Sequence, residues 1–157
     1  MVESFDCQKV VLSVKKILLP IDRSEYKLKI VAYAFSLSKA WDAEIIAIHI
    51  IDIGRGFGYG KDKETKQERT QEEKRNGEVL LNEINLMAKK EGMNNIKTEV
   101  LEKNETVGKT IIGYAKINKA DVIVIGTKGM TAVEEYFFGS VVKEVFQYAH
   151  CPVFAIR

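Results

Sequence analysis

The arrangement of apolar residues along the chain restricts the fold more than any other feature of the sequence. From residue 15 onward, short apolar runs alternate with longer segments in which apolar residues recur at helical spacing. This alternation is typical of βαβ units, in which each strand is followed by a helix that returns the chain to the next parallel strand. Because such crossovers are right-handed, the pattern predicts one doubly wound α/β domain, with helices on both faces of a five-stranded parallel sheet.

The strand and helix positions follow from the same pattern. Ser24 is predicted to cap the first helix, Gly92 to terminate the second, and a third helix is predicted over 105–118. Strands are predicted at 15–22, 43–52, 96–102 and 121–126, with a final strand after Pro152. Apolar helix faces are predicted for Leu28, Val31, Ala32 and Phe35, for Leu80, Ile84, Met87 and Ala88, and for Val141, Val142, Val145, Phe146 and Ala149.

Two segments do not fit the repeating pattern. Residues 54–76 begin with GRGFGYG and continue as a highly charged stretch with almost no apolar residue, so we predict a mobile loop there. Residues 1–14 precede the predicted domain, which spans 15–157. They either add an edge strand or lie across another subunit, and the sequence does not decide between these interpretations.

Composition and charge argue against several classes of protein. The 157 residues carry a net charge of +2 with both signs interspersed, which gives no basic surface for nucleic acid. No apolar run approaches the ~20 residues that a membrane-spanning helix needs, and the first residues are unlike a secretory signal. Cys7 and Cys151 have neither metal-ligand nor disulfide-scaffold spacing, so we expect both to be reduced in a cytoplasmic protein.

The stretch GTKGMTAVEEYFFGSV, residues 126–141, contains the strongest candidate for a binding site. Gly126 and Gly129 follow a strand and can direct backbone N–H groups at a phosphate, while Gly139 and Ser140 open a helix whose positive end attracts anions. Lys128 lies between the first two glycines and can neutralise phosphate charge. The alternative is that the glycines are ordinary turn residues, that Ser140 is a plain helix cap and that Lys128 is simply solvated.

Other candidate residues are fewer. Asp22 ends the first strand at the same sheet edge, where its carboxylate would contact a ribose hydroxyl or a phosphate-bound cation, or would shape the turn with Ser24. His49 and His150 lack an evident nucleophile partner, so we interpret them as packing and cap residues. The sequence shows no recognisable general base and no zinc or paired-carboxylate pattern.

Three segments of the sequence together resemble a known family. The spacing Gly126-x2-Gly129-x9-Gly139-Ser140 is similar to the ATP-binding signature of universal stress proteins, and ILLPIDRS (17–24) and CPVFAIR (151–157) resemble that family's first and last strands. The resemblance covers roughly residues 15–157. It implies strand order 3-2-1-4-5 and a homodimer in which the last strands of two subunits meet. Glu105-Thr106-Val107 departs from the family's usual Gly-x-Pro-like sequence, and the charged segment 61–76 has no counterpart.

The resemblance also implies which residues surround a nucleotide. Asp22 would lie near the ribose, and the Ile50 backbone near adenine. The phosphates would lie within Gly129, Gly139, Ser140 and Val141. The implied contact residues are Pro20, Ile21, Asp22, Ile50, Ile125, Gly126, Gly129, Gly139, Ser140 and Val141, and we add Lys128 from its position.

These observations lead to one preferred function and two alternatives. The preferred function is a regulatory stress-response protein that binds ATP, ADP or AMP, with Mg²⁺ or Mn²⁺ on the phosphates, and whose bound state an unknown protein partner reads. The first alternative is an enzyme that hydrolyses ATP slowly. The second is a dimeric scaffold whose pocket holds no nucleotide.

Overall fold

The computed structural model describes residues 13–52, 63–127 and 139–157. The strands are β1 (Lys16–Pro20), β2 (Glu44–Ile51), β3 (Ile96–Glu102), β4 (Val122–Gly126) and β5 (Val153–Ile156). The helices are α1 (Lys27–Trp41), α2 (Lys63–Lys90), α3 (Val107–Ile117) and α4 (Ser140–Tyr148). No helix in these described ranges is both long and apolar enough to cross a membrane.

The five strands form one sheet in the order β3-β2-β1-β4-β5, and all neighbouring pairs are parallel. The predicted α/β class and strand order are therefore confirmed. From β1 the chain first builds outward through β2 and β3, and then crosses to the other side to add β4 and β5. The strand order thus reverses between β1 and β4, which is the position where open α/β sheets bind ligands.

Residues of the central strands alternate between two apolar layers. Ile17 and Leu19 of β1 belong to the layer formed with α1 and α2, whereas Leu18 belongs to the layer formed with α3 and α4. All three side chains are fully buried. A strand covered on both faces can be apolar at every position, which explains the nearly continuous apolar runs in the sequence.

The predicted mobile loop is wrong for residues 63–76, which form the first half of α2. Residues 54–62 lie outside the described ranges. The charged half of α2 consists largely of Lys, Glu, Gln and Arg, which have high helix propensity without any apolar stripe. A stripe appears only from Gly77 onward, where α2 reaches the sheet and Leu80, Leu81, Ile84 and Ala88 are buried. Apolar periodicity therefore detected only the packed half of a 28-residue helix.

Predictions about the cap of α1 and about the buried faces of α1 and α4 also need correction. Ser24 does not cap α1, because the N-cap residue is Tyr26 and no side chain makes the cap hydrogen bond. Leu28 is 56% exposed and Ala32 is also exposed. On α4, Phe146 is 50% exposed. The buried residues of α1 are Ile30, Val31, Ala34, Phe35 and Ser38, and those of α4 are Val142 and Val145.

The ends of α2 and α3 follow the expected chemistry. Gly92 has φ +70°, and the Met93 N–H donates to the Ala88 carbonyl at 2.9 Å, which closes α2 in the usual glycine-terminated manner. Thr106 caps α3, since its side chain accepts a hydrogen bond from the Lys109 N–H. The sequence that departs from the family pattern at 105–107 therefore supplies its own helix cap.

Candidate functional site

Strands β1 and β4 separate at their carboxyl ends. Their ladder consists of two residue pairs, Ile17↔Val122 and Leu18↔Ile123, although β1 continues to Pro20 and β4 to Gly126. On the other side of β1, pairing with β2 continues as far as Pro20. The sheet therefore opens at the reversal of strand order, between two strands that are otherwise neighbours.

Pro20 gives a physical reason for this opening. The Lys16 carbonyl accepts a hydrogen bond from the Asp121 N–H at 2.9 Å, so even-numbered residues of β1 direct their peptide groups toward β4. Continuing the ladder would require an N–H at position 20, and proline has none. Proline in a central strand is unusual, and here it stands where the ladder ends.

The turn after β1 places Asp22 at this opening. The Ile21 N–H donates to the Ile48 carbonyl at 2.9 Å, which keeps the chain beside β2 for one more residue. The Ser24 N–H then donates to Asp22 Oδ1 at 3.0 Å, a local turn typical of aspartate. Asp22 therefore shapes the turn, as one of its two interpretations requires. No residue in the described ranges hydrogen-bonds to Asp22 Oδ2. Asp22 can therefore shape the turn through Oδ1 and still offer Oδ2 to a ligand hydroxyl or a cation.

The opposite side of the opening is the junction between β4 and α4. Ile125 is buried, and Gly126 ends the strand. The backbone of Thr127 makes two hydrogen bonds. Its N–H donates to the Ile156 carbonyl of β5 at 2.8 Å, and its carbonyl accepts from the Gly139 N–H before α4 at 3.3 Å. The first turn of α4 is thereby tied to the end of β4, with Ser140 exposed at its beginning.

Helix α4 is held in this position from the side as well. Val142 and Val145 are buried against the sheet, and the Thr106 hydroxyl at the start of α3 donates to Glu144 Oε2 at 2.7 Å. Gly108, which lies in the first turn of α3, has no side chain that would displace the Glu144 carboxylate. The N–H groups in the first turn of α4, which have no acceptor within the helix, are therefore presented by an anchored helix, which suits them to bind an anion.

Ile50 borders the opening from the β2 side. The Ile48 carbonyl accepts from Ile21 on the β1 side, and the Ile51 carbonyl accepts from the Lys103 N–H on the β3 side. The peptide groups of alternate residues in a strand hydrogen-bond to opposite neighbouring strands. The peptide groups of Ile50 therefore face the β1 side, beyond Pro20. Beside Ile50, Lys103 Nζ lies 2.6 Å from Asp52 Oδ1 in a half-buried ion pair.

The structure brings most of the predicted contact residues to one edge of the sheet. They are Pro20, Ile21, Asp22, Ile50, Ile125, Gly126, Gly139, Ser140 and Val141. Lys128 and Gly129 lie outside the described ranges. His150 follows α4 at the amino edge of the sheet, away from the opening, whereas His49 is buried, as its interpretation as a packing residue requires.

Sequence reasoning missed two residues at this edge. Thr127 joins β4, β5 and α4 through its backbone, and His49 Nδ1 lies 2.9 Å from the Ile21 carbonyl. The signal for Thr127 was its place directly after the strand, inside the glycine motif. For His49 it was a polar residue in an otherwise apolar strand, one position before Ile50.

The comparisons with known proteins agree with this architecture. Residues 13–157 match the model of the universal stress protein family. The chain belongs to that family. It is 35% identical over 145 residues to a universal stress protein of Methanocaldococcus jannaschii. This alignment covers 91% of this chain and 82% of that relative. This result confirms the family resemblance drawn from the two ends of the sequence.

Solved structures of the family have the same fold. The structure of UspA from Lactobacillus plantarum has a TM-score of 0.82 at 23% identity, covering 92% of this chain and 98% of that one. A universal stress protein from Archaeoglobus fulgidus in complex with dAMP has a TM-score of 0.64 at 20% identity, covering 92% and 99%. Another universal stress protein, in complex with cAMP, has a TM-score of 0.68 at 19% identity, covering 92% and 98%. At these identities the likeness establishes the fold.

Proposed function

We propose that this universal stress protein binds an adenine nucleotide in the opening between β1 and β4, and that the bound state regulates a protein partner. The observation that carries the proposal is the early end of the β1–β4 ladder. It opens the sheet where the strand order reverses, directly beside an anchored helix N-terminus. This combination suits a ligand that has both a flat apolar part and an anionic part.

Each side of the opening matches one part of a nucleotide. The α4 N-terminus and the Ser140 hydroxyl are donors for phosphate oxygens. The free Asp22 oxygen is an acceptor for ribose hydroxyls. The Ile50 peptide group, facing the opening beyond Pro20, is placed to hydrogen-bond the edge of the base. Family members that hold dAMP and cAMP support the choice of adenine.

We further propose that ATP is the ligand in the cell, with Mg²⁺ or Mn²⁺ on its phosphates. In the described ranges no group of three or more His, Cys, Asp or Glu side chains converges on a metal position. The ion would therefore be held mainly by phosphate oxygens, with the Asp22 carboxylate at the same edge of the sheet as a further ligand. Such a metal would neutralise phosphate charge in the complex.

A regulatory role requires that nucleotide binding favours one conformation over another. Ordering of a loop over 54–76 is no longer suitable for this purpose, because residues 63–76 are already helical. The β1–α1 turn and the start of α4 are the elements that a ligand would contact on both sides. A change in their relative position is what we expect a partner to detect.

The test is to purify the protein without added nucleotide, denature it and identify the released small molecules by chromatography and mass spectrometry. Titration calorimetry with ATP and Mg²⁺ follows on wild type, Ser140→Ala and Gly139→Val. A methyl group at Gly139 would lie 3.9 Å from the Thr127 carbonyl oxygen, the nearest heavy atom among the described residues, so the first carbon of a side chain there makes no close contact with them.

We expect wild type to bind and Ser140→Ala to bind about tenfold more weakly, since it loses one hydrogen bond to a charged group. Ser36→Ala is the matched control, because Ser36 is an exposed helical serine that bonds only the Ala32 carbonyl in its own helix. A wild-type protein that releases no nucleotide and does not bind added ATP would contradict the proposal and favour the scaffold.

We also propose a homodimer through β5. This four-residue strand is at the edge of the sheet, and Phe154 on it is 42% exposed while packing edge-on against Trp41 at 5.9 Å. The Pro152 and Ile156 carbonyls accept from β4, so the Ala155 peptide groups face the other side, where no described strand pairs with β5. An edge of this kind can pair with a second copy.

Light scattering after size-exclusion chromatography tests the dimer. Ala155→Pro removes the outward N–H and leaves the bonds to β4, so we expect it to be a monomer. Ala155→Thr keeps the N–H and is expected to remain a dimer. A monomeric wild type, or a dimer unaffected by proline, would contradict pairing through this edge.

A further inference from the structure

We propose that His49 is a positioning residue that fixes the Ile21–Asp22 side of the ligand opening through a hydrogen bond to the Ile21 carbonyl. This inference rests on the proposed nucleotide site. It concerns a residue on the face of the sheet that α2 covers, next to the turn that follows β1. It also assigns a purpose to the one strongly polar side chain within the apolar run of β2.

The geometry of His49 specifies what it can do. Its Nδ1 atom lies 2.9 Å from the Ile21 carbonyl oxygen, and the residue is only 7% exposed. A carbonyl oxygen can only accept, so Nδ1 carries the proton in this contact. The bond reaches from β2 to the first residue beyond β1, directly before Asp22. A buried carbonyl deprived of this donor would lose its partner and favour a rearranged turn.

Helix α2 holds the imidazole ring in place. His49 and Val100 are paired across β2 and β3, and Gly77 of α2 lies directly over this pair. A methyl group at Gly77 would be 2.8 Å from His49 Cδ2 and 3.1 Å from Val100 Cγ2. The helix therefore approaches His49 about as closely as a glycine allows, and it restricts the imidazole ring on the Cδ2 side.

The neighbouring contacts show that the turn is fixed on both sides of Asp22. Ile21 donates its N–H to Ile48 and accepts from His49 with its carbonyl. On the other side, the Asp22 carboxylate itself accepts from the Ser24 N–H. Arg23 reaches Glu73 of α2 at 3.3 Å, but both side chains are exposed, so this ion pair contributes little. The buried His49 bond is the side-chain contact through which α2 and β2 together act on the residue before Asp22.

Two substitutions separate hydrogen bonding from packing. His49→Asn keeps an amide N–H near the position of Nδ1 but loses ring volume. His49→Phe keeps the ring volume and loses the donor. If His49 acts through its hydrogen bond, His49→Asn should function better than His49→Phe, whereas a packing role requires the reverse order.

The two readouts are the exchange rate of the Ser24 amide in the nucleotide-free protein, by NMR, and ATP affinity by calorimetry with Mg²⁺. For His49→Phe we expect faster Ser24 exchange and about tenfold weaker binding. For His49→Asn we expect affinity within about threefold of wild type, since one neutral hydrogen bond is retained. Equal exchange and affinity in the two variants, or better performance by His49→Phe, would overturn the positioning role.

The failure of the two proposals can be distinguished. If wild type binds no nucleotide, the proposed function fails, and the order of Ser24 exchange rates still decides the role of His49. If a variant does not fold, the nitrogen NMR spectrum of the His49 imidazole in the wild-type protein provides the test instead. Detection of the Nδ1–H tautomer supports the bond to Ile21, and detection of a neutral Nε2–H tautomer overturns it.

Discussion

A glycine-to-alanine substitution at Gly77 should destabilise the protein, although the same substitution in a helix with open space should stabilise it. Gly77 is buried within α2, and the added methyl group would lie 2.8 Å from His49 Cδ2 and 3.1 and 3.3 Å from the two Val100 methyl carbons. Real Cβ atoms essentially never come within 3.0 Å of such an atom, so the 2.8 Å contact requires the ring, the strand or the helix to move. The ring is bonded to Ile21 and the strand lies within the sheet, which leaves movement of α2.

The magnitude follows from two opposing contributions. Replacing a glycine in a helix by alanine gains about 1 kcal/mol in helix propensity. Overpacking a buried contact costs about 1–3 kcal/mol. Gly113 of α3 provides the matched control, because no heavy atom lies within 4 Å of a Cβ placed there. The propensity gain is common to both sites, so the difference between the two variants isolates the overpacking cost.

The assay is equilibrium unfolding in urea of wild type, Gly77→Ala and Gly113→Ala at pH 7. We expect Gly113→Ala to be more stable than wild type by up to about 1 kcal/mol. Gly77→Ala should be less stable than Gly113→Ala by about 1–3 kcal/mol. Equal stabilisation of both variants would refute the close approach of α2 to His49, and with it the geometric basis of the positioning role.

Two further predictions concern contacts outside the site. Asp121 Oδ2 accepts the N–H groups of Lys15 and Lys16, both at 2.8 Å, so Asp121→Ala should lower the free energy of urea unfolding by about 1–3 kcal/mol; an unchanged midpoint would contradict this. Burial, followed by the hydrogen bond to Glu99, raises the pKa of Tyr114. Because the unfolded state then loses the phenol proton first, stability should fall as pH rises above about 10. Tyr114→Phe should lose less stability than wild type between pH 9 and pH 11, and an identical loss would contradict the assignment.

The sequence predicts the sheet of this protein well because burial on both faces leaves a strong local signal. The runs ending at Pro20 and Ile51 are apolar at nearly every position, and turn residues bound them. The predicted strand 96–102 also agrees with β3 at both ends, although β3 lies at the edge of the sheet and has no fully buried residue. Strand order was obtained from the resemblance, since nothing within a strand's own residues states which neighbour it pairs with.

The helices were predicted less well, for a physical reason. A helix reveals itself through apolar periodicity only where it packs, and residues 63–76 precede the part of α2 that reaches the sheet. For α1, the buried stripe includes Ile30 and Ala34, and the alternative stripe through Leu28 and Ala32 fits the helical spacing equally well. Choosing between two such stripes requires the orientation of the helix on the sheet, which is a tertiary property.

The candidate site shows the same division between local and tertiary information. The glycine motif located the α4 end of the opening, and the strand end located Asp22. Two residues determine the β1 side of the opening through contacts with other strands. Pro20 ends the ladder with β4, and His49 of β2 hydrogen-bonds to the Ile21 carbonyl just beyond β1. Neither action can be read from the residue and its chain neighbours alone.

The energetic ranking of contacts around Asp22 indicates where regulation can enter. The Arg23–Glu73 ion pair is exposed and contributes at most about 1 kcal/mol. The contact between α2 and His49 is buried and cannot yield without moving the Ile21 carbonyl. A ligand that shifts the Asp22 turn must therefore shift α2 or strain the His49 bond. If the proposed nucleotide moves the Asp22 turn relative to the start of α4, α2 is the helix that contacts this turn through His49, and its largely exposed residues 67–76 can carry the movement to a surface that a partner contacts.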